Sequence, residues 1–351
     1  MWYQGILDRG LVPDWVIRRA IRQRCRRRLA QADRGDTRAR EARRTEFLAE
    51  LRAAPIAEHT RTANEQHYEL PPEFFAEVLG RHRKYSCGYW PEGTTGLDES
   101  EERMLELTAA RAGLADGQRI LELGCGWGSL SLFLAERFPR ATLLAVSNSH
   151  PQRESITAEA KRRGLTNLEV RTTDINTFDP GERFDRVVSV EMFEHMKNYG
   201  ELLRRIAGWL LPEGALFVHM FVHRQFAYHY VAEGPDDWMA RHFFTGGTMP
   251  SYDLLDHFAD HLQVTERWQV SGLHYQKTCE AWLRRMDERS RTVRPILEAT
   301  YGSDQTARWW VRWRVFFMAC AELFGFGDGR EWFVGHYLLR PGMSGSAKES
   351  P

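Results

Sequence analysis

The chain has 351 residues, with 48 Lys plus Arg against 48 Asp plus Glu. That length buries a full core as one large or two smaller domains, and the balanced charge excludes a general electrostatic pull toward nucleic acid. The five cysteines (25, 87, 125, 279 and 320) form no Cys-x-x-Cys pair, no apolar run reaches the ~20 residues that span a bilayer, and the N-terminus carries no signal-peptide core; these features predict a soluble, cytoplasmic protein with no metal site.

Residues 1–60 read as an N-terminal helical segment. Asp14 is placed to cap a run from Trp15 to Leu29, and a second run spans Arg38 to Ala53. Arg18, Arg19, Arg22, Arg24, Arg26, Arg27 and Arg28 crowd the first run. They read either as a solvated helix face or as a contact with an anionic membrane surface or acidic partner. The aromatic interleaving that reads single-stranded nucleic acid is missing, and a homodimeric state is left open.

Residues 61–222 read as a nucleotide-binding core that begins with a cover loop. The loop runs through Ala63-Asn-Glu-Gln-His-Tyr-Glu-Leu-Pro-Pro72, a short helix from Glu73 to Leu79, and Lys84-Tyr-Ser-Cys-Gly-Tyr-Trp90. It is rich in aromatic and hydrogen-bonding side chains, as ligand covers are. A helix from Glu99 to Gly113 precedes Arg119-Ile-Leu-Glu-Leu-Gly-Cys-Gly-Trp-Gly128. There Ile120, Leu121 and Leu123 predict a buried parallel strand, and Gly124, Gly126 and Gly128 a turn that lets a ligand approach the backbone. Glu122, just before the turn, is placed to accept hydrogen bonds from an amino-acid end of an adenosyl ligand. No phosphate-gripping Lys follows, so the motif favours S-adenosylmethionine over ATP.

Further strands are predicted at Thr142–Ser147, Leu168–Asp174, Phe184–Val190 and Ala215–Met220, with helices at Gln152–Arg163 and Tyr199–Leu210. This alternation predicts an α/β, doubly wound, Rossmann-like parallel sheet. Ligands of such sheets bind at the carboxyl ends of the strands, so Gly124, Gly126, Asn148, Gln152, Asp174 and Ile175 are predicted at one edge. The second strand ends in Ser147-Asn148 rather than the acid that grips a dinucleotide ribose. The fourth runs into Glu191-Met-Phe-Glu-His-Met-Lys-Asn198, so Glu191, Glu194 and His195 are the candidate catalytic groups.

Residues 223–343 read as a helical substrate-cover region, with helices at 226–242, 251–261, 274–302 and 307–325 and a last strand at 332–339 pairing with the sheet edge. Trp309, Trp310, Trp313, Phe316, Phe317 and Phe324 form an aromatic stripe that reads as core or as an apolar pocket wall. Residues 344–351 read as a disordered tail.

Five stretches then carry a resemblance that covers nearly the whole chain after about residue 12: Ala63-Asn-Glu-Gln-His-Tyr-Glu69, Lys84-Tyr-Ser-Cys87, Glu191-Met-Phe-Glu-His-Met-Lys-Asn-Tyr199, Phe244-Thr-Gly-Gly-Thr-Met-Pro-Ser251 and Ala319-Cys-Ala-Glu-Leu-Phe-Gly325. The chain resembles the cyclopropane-fatty-acyl-phospholipid synthase superfamily of S-adenosylmethionine-dependent methyltransferases. Within it, the likeness is nearest to the plant benzylisoquinoline (coclaurine-type) N-methyltransferases. The resemblance implies that Tyr85, Ser86, Gly124, Gly126, Asn148, Gln152, Asp174 and Ile175 surround the cofactor. It implies that Glu191, Glu194 and His195 line an amine site with Tyr68, Trp313 and Phe316. From the cyclopropane synthases it implies that Cys87, Glu194, His219 and Tyr275 hold a bicarbonate ion used as base. Glu191 sides with the N-methyltransferases, since the bacterial synthases carry a small residue there; Arg312 departs from the aromatic expected in the plant enzymes. The expected reaction is methylation of a small apolar amine, with His195, near its ordinary pKa, and Glu194 as base and Glu191 holding the amine. The alternative is methylene transfer to unsaturated phospholipid acyl chains.

Overall fold

The computed structural model describes residues 2–58, 70–231, 234 and 237–342. Tyr68, most of the Ala63–Pro72 cover stretch and the 344–351 tail lie outside the described residues. Nine strands form among them: β1 Arg119–Leu123, β2 Thr142–Ser147, β3 Leu168–Thr172, β4 Phe184–Val190, β5 Leu210–His223, β6 Tyr228–His229, β7 Thr248–Met249, β8 Leu262–Val270 and β9 Trp332–Pro341.

Seven of them make one sheet in the order β3-β2-β1-β4-β5-β9-β8, while β6 and β7 pair separately. Strands β1 to β5 are parallel, and β9 runs antiparallel between β5 and β8. The strands alternate sides. Ile120, Leu143, Val188 and Phe217 face one core with helix Leu97–Ala112, and Leu121, Leu144, Val187 and Leu216 face the other with helix Tyr199–Trp209. Both faces are covered, which is why these strands read as unbroken apolar runs. Since β2 and β4 flank β1, the chain reverses direction across the sheet at the carboxyl end of β1, where a crevice opens.

A third core lies beyond the sheet. Helices Gly272–Glu288, Ser290–Tyr301 and Thr306–Phe324 pack Trp282, Trp313 and Phe317 against Phe74 and Phe75 of helix Pro72–Val78. Helix Asp14–Ala32 docks on this layer through Ile17 and Cys25. Two arginines of its cluster take part: Arg18 pairs with Glu280 at 2.5 Å and Glu322 at 3.1 Å, and Arg22 with Glu322 at 2.6 Å. Arg28 stacks over the Tyr228 ring. Arg19, Arg26 and Arg27 remain exposed. No helix among the described residues is long and apolar enough to cross a membrane.

The structure departs from the sequence expectations at the first long helix and through the second half of the chain. Asp14 is no cap; helix Asp14–Ala32 starts without a side-chain cap, and the Asp14 carboxylate binds Arg314 at 2.7 and 3.0 Å. Among the described residues the helix expected over 226–242 forms only at Trp238–His242, because Tyr228–His229 pairs instead with Thr248–Met249. Between 251 and 261 there is only a 3₁₀ turn, Leu254–Phe258, followed by the unforeseen strand β8. The helix expected over 274–302 is two, divided at Arg289, whose guanidinium turns back to the carbonyl and carboxylate of Glu77. Strand β9 is an internal strand, since β8 covers its far side.

Candidate active site

Tight backbone geometry builds the floor of the crevice. The N–H groups of Gly124 and Cys125 both donate to the Val146 carbonyl, at 2.9 and 3.0 Å, which folds the turn back over the end of β2. Gly124 sits at φ +80°, where a Cβ would lie 2.8 Å from the Cβ of Met192. Gly126, at φ +52°, has nothing within 4 Å on the side a Cβ would occupy. One glycine is therefore required by the neighbouring loop, and the other leaves a face of the backbone bare for a ligand.

Tyr85, Ser86, Glu122, Gly124, Gly126, Asn148, Gln152, Asp174 and Ile175, contributed by four segments, all line the one pocket above this floor. Glu122 is buried beneath it, accepting a hydrogen bond from Ser131, and burial pushes its carboxyl up to about 7. Gln152 is buried with its Oε1 taken by the Ser147 hydroxyl at 2.6 Å, and its Nε2 has no partner among the described residues. Ser129 Oγ, at the start of helix Ser129–Arg137, is in the same state. Buried, unpartnered polar atoms around a cavity are groups that a polar ligand satisfies. These donors and acceptors, with the open face of Gly126, fit the hydroxyl-bearing and amino-acid parts of S-adenosylmethionine.

A second pocket adjoins the first. Its wall is aromatic: Phe221, Tyr230, Phe244, Trp282, Phe316 and Phe324. Tyr85, Glu191 and His195 line both cavities. They are the boundary. Trp313 lies behind the wall instead, edge-on to Phe243 and Phe316 within the helical core, so its expected place in the amine site is not where the side chain sits. Arg312 binds Asp8 at 3.1 and 3.3 Å and stacks over Trp309. Residues that the sequence reading left unassigned include Lys84 and Met192 in the first pocket and Tyr230 and Trp282 in the second. Phe244 was visible only as part of a recognised stretch.

Glu191 is the most constrained of these groups. It has φ +49°, a region that non-glycine residues occupy at a cost of about 1–3 kcal/mol, and its N–H donates to the His219 carbonyl at 2.7 Å. This backbone turns the side chain into a ring of donors. Oε1 accepts from the Cys87 N–H at 2.9 Å and lies 3.2 Å from His219 Nε2, while Oε2 accepts from the Tyr275 hydroxyl at 2.5 Å. Cys87, His219 and Tyr275 are three of the four groups expected around bicarbonate. Here they converge on the carboxylate of Glu191. The fourth, Glu194, is fully buried, accepts the Phe221 N–H at 2.6 Å through Oε1, and leaves Oε2 without a partner among the described residues.

The two carboxyls are pushed apart in acidity. Burial raises both, but Lys84 and the Tyr275 hydrogen bond pull Glu191 down, whereas the charge of Glu191 pushes Glu194 further up. Three donors converge on Glu191, as suits a carboxylate, while Glu194, with one donor and the charge of Glu191 beside it, is pushed the higher of the two. His195, edge-on to Phe244, is lowered by burial to about 4, with Glu191 opposing the shift. It is not near its ordinary value, as the sequence suggested; it is firmly neutral at pH 7.

A Rossmann-like sheet with this glycine turn, and a polar pocket opening onto an aromatic one, defines an S-adenosylmethionine-dependent methyltransferase. The chain belongs to the family described as Mycolic acid cyclopropane synthetase, matched over residues 57–330. It is 38% identical over 338 residues to (S)-coclaurine N-methyltransferase of Thalictrum flavum subsp. glaucum, covering 95% of this chain and 94% of that one. It is 28% identical to the cyclopropane-fatty-acyl-phospholipid synthase of Escherichia coli (strain K12) over 63% of this chain and 55% of that one. A crystal structure of coclaurine N-methyltransferase bound to N-methylheliamine and SAH superposes with a TM-score of 0.92, at 37% identity and with 96% of this chain and 98% of that one covered.

Proposed function

We propose that the protein N-methylates a small, apolar amine of the tetrahydroisoquinoline kind. The observation that carries the proposal is the shared boundary of the two pockets, where Glu191 and His195 touch both the polar cavity and the aromatic one. The similarity to (S)-coclaurine N-methyltransferase and to pavine N-methyltransferase supports it.

When bound, S-adenosylmethionine supplies an electrophilic methyl group. The residues of the first pocket hold it: Glu122 at its amino-acid end, and Gln152 and Asn148 at its ribose hydroxyls. The second pocket receives the amine. An alkylammonium entering it is drawn to the carboxyl of Glu191, and the aromatic wall adds cation–π attraction of about 0.5–2 kcal/mol per favourable ring. Methylation needs the free base. His195, neutral and at the same boundary, relays that proton outward rather than holding it, its lowered basicity returning the proton to water, and the charge of Glu191 lowers the cost of the imidazolium that forms in passing. Glu194 lies behind and supports this pair. Holding nitrogen and methyl in line is a positioning effect, which contributes several kcal/mol in oriented reactions, of the order of 7–11 at most.

Lipid methylene transfer calls for a bicarbonate base, and the Glu191 carboxylate already occupies three of its expected donors. A mass-spectrometric screen of amines and unsaturated phospholipid vesicles separates the two reactions. Both products gain one CH₂, so fragmentation must locate the carbon. N-methyl amine is the expected product; a cyclopropane ring in the lipid fraction would overturn the proposal.

A further inference from the structure

The donor set of Glu191 does not end at His219. His219 on β5 and His336 on β9 are directly opposite in the antiparallel ladder, both fully buried, with His336 Nε2 2.9 Å from His219 Nδ1. Beyond them, Arg111, on the last turn of helix Leu97–Ala112, places Nη1 2.8 Å from His336 Nδ1 and stacks over Trp268 on β8. Three side chains, from the helix, β9 and β5, thus form one line to the active-site carboxyl, which sits in the loop just after β4.

Elementary hydrogen-bond chemistry gives this line a direction. A guanidinium only donates, so His336 Nδ1 must be the acceptor and its proton sits on Nε2. That proton is donated to His219 Nδ1, which leaves the His219 proton on Nε2, aimed at Glu191 Oε1. Burial keeps both imidazoles neutral, far below their ordinary pKa, so neither escapes the constraint by taking a second proton. We propose that Arg111 is a positioning residue of the active site: acting through His336 and His219, it fixes the tautomer of both histidines and keeps an N–H donor pointed at the carboxylate of Glu191.

The same logic denies the line a role as a proton exit. An outward-moving proton would have to enter each imidazole at Nε2 and leave at Nδ1, and at the end it would meet Arg111, which has no lone pair to receive it. The line ends blind. It polarises inward and keeps a donor on the Glu191 carboxyl, so the amine proton has to leave by the His195 side.

The kinetic part of the test rests on the proposed amine methylation; the spectroscopic part does not. In ¹⁵N-histidine-labelled full-length enzyme, long-range ¹H–¹⁵N correlation spectra should show both His219 and His336 protonated at Nε2 and bare at Nδ1. Either histidine protonated at Nδ1 would overturn the proposal, whatever the substrate. In Arg111→Met the constraint is lifted: the His336 pattern should change and kcat for the amine should fall about tenfold, the lower range of outer-partner effects, with the KM for S-adenosylmethionine unchanged. Arg111→Lys, which keeps a cationic donor, should retain the wild-type tautomers and most of kcat, and it serves equally if the Met variant does not fold. Unchanged tautomers and unchanged kcat in Arg111→Met would refute the role, as would loss of the tautomers in a folded Arg111→Lys. If no amine is methylated yet both histidines show the Nε2–H form, the positioning of Glu191 stands and the proposed acceptor falls.

Discussion

At the scale of single residues, the site rests on groups whose burial changes their chemistry. Glu122 is raised to about 7 by burial. If it accepts the cationic amino group of the cofactor, binding favours its ionised form and expels a proton. Affinity for S-adenosylmethionine should then rise with pH up to about 7 and level off above it. Titration calorimetry at pH 6 and 8 in buffers of different ionisation enthalpy reads that proton; equal affinities at both pH values would contradict the role of Glu122. His195→Ala removes the proposed proton acceptor and should lower kcat by about 100-fold, within the range of general acid–base contributions. Single-turnover kinetics on the best amine would check it. Much of this was legible beforehand. Glu191, Glu194 and His195 stood out because two carboxylates and an imidazole within five residues at a strand end are chemically conspicuous. That Glu194 would be pushed higher than Glu191 was not legible, because it depends on Lys84 and Tyr275, 107 and 84 positions away, being folded against one carboxyl and not the other.

At the scale of elements, the glycine turn and the aromatic wall make separable predictions. In Gly124→Ala the new methyl would meet Met192 at 2.8 Å, in a backbone conformation that already disfavours side chains. Strain of about 1–3 kcal/mol should appear as weaker cofactor binding and a lower melting temperature. Phe316→Ala opens the aromatic pocket and should raise KM for the amine more than it lowers kcat, because the ring binds ground state and transition state alike; a loss confined to kcat would contradict that. The strands of the parallel half were readable because both faces are covered and the apolar runs are continuous. Strand β8 was not: most of its residues Leu262–Val270 are exposed or half-buried at the sheet edge, without the apolar density that marked the others. The break at Arg289 was likewise invisible, because neither Gly nor Pro marks it and its cause is a contact with Glu77 on a distant helix.

At the scale of the whole molecule, the buried histidines govern how stability depends on pH. His195, His223, His229, His242 and His274 are lowered by burial to about 4, and burial also lowers His219 and His336 well below the ordinary imidazole value. Their unfolded value is near 6.5, so between pH 6.5 and 4 the unfolded chain binds protons that the folded chain refuses, and stability falls as pH falls. The buried carboxyls act in the opposite sense. Glu101 and Glu122 are raised to about 7; above pH 4.5 they ionise only in the unfolded chain, which costs stability as pH rises toward 7. Seven histidines outweigh these and the raised Glu191 and Glu194, so the melting temperature should drop from pH 6.5 to 4.5 in differential scanning calorimetry. A flat or rising profile would contradict the assignment of neutral buried imidazoles. Charge balance across the whole chain gave no hint of this behaviour, because it depends on where the 13 histidines sit rather than on their number.

The central claim is that Glu191, its carboxyl ringed by three donors at the boundary of the two pockets, captures the amine for methylation. Its most direct test is the rate of N-methyl product formation by Glu191→Gln beside the wild type, at saturating S-adenosylmethionine and equal amine. A fall of about 100-fold or more in kcat/KM, as for loss of a single preorganised electrostatic partner, with cofactor binding intact, is the predicted result. A Glu191→Gln enzyme that folds, binds the cofactor and methylates the amine at the wild-type rate would contradict it.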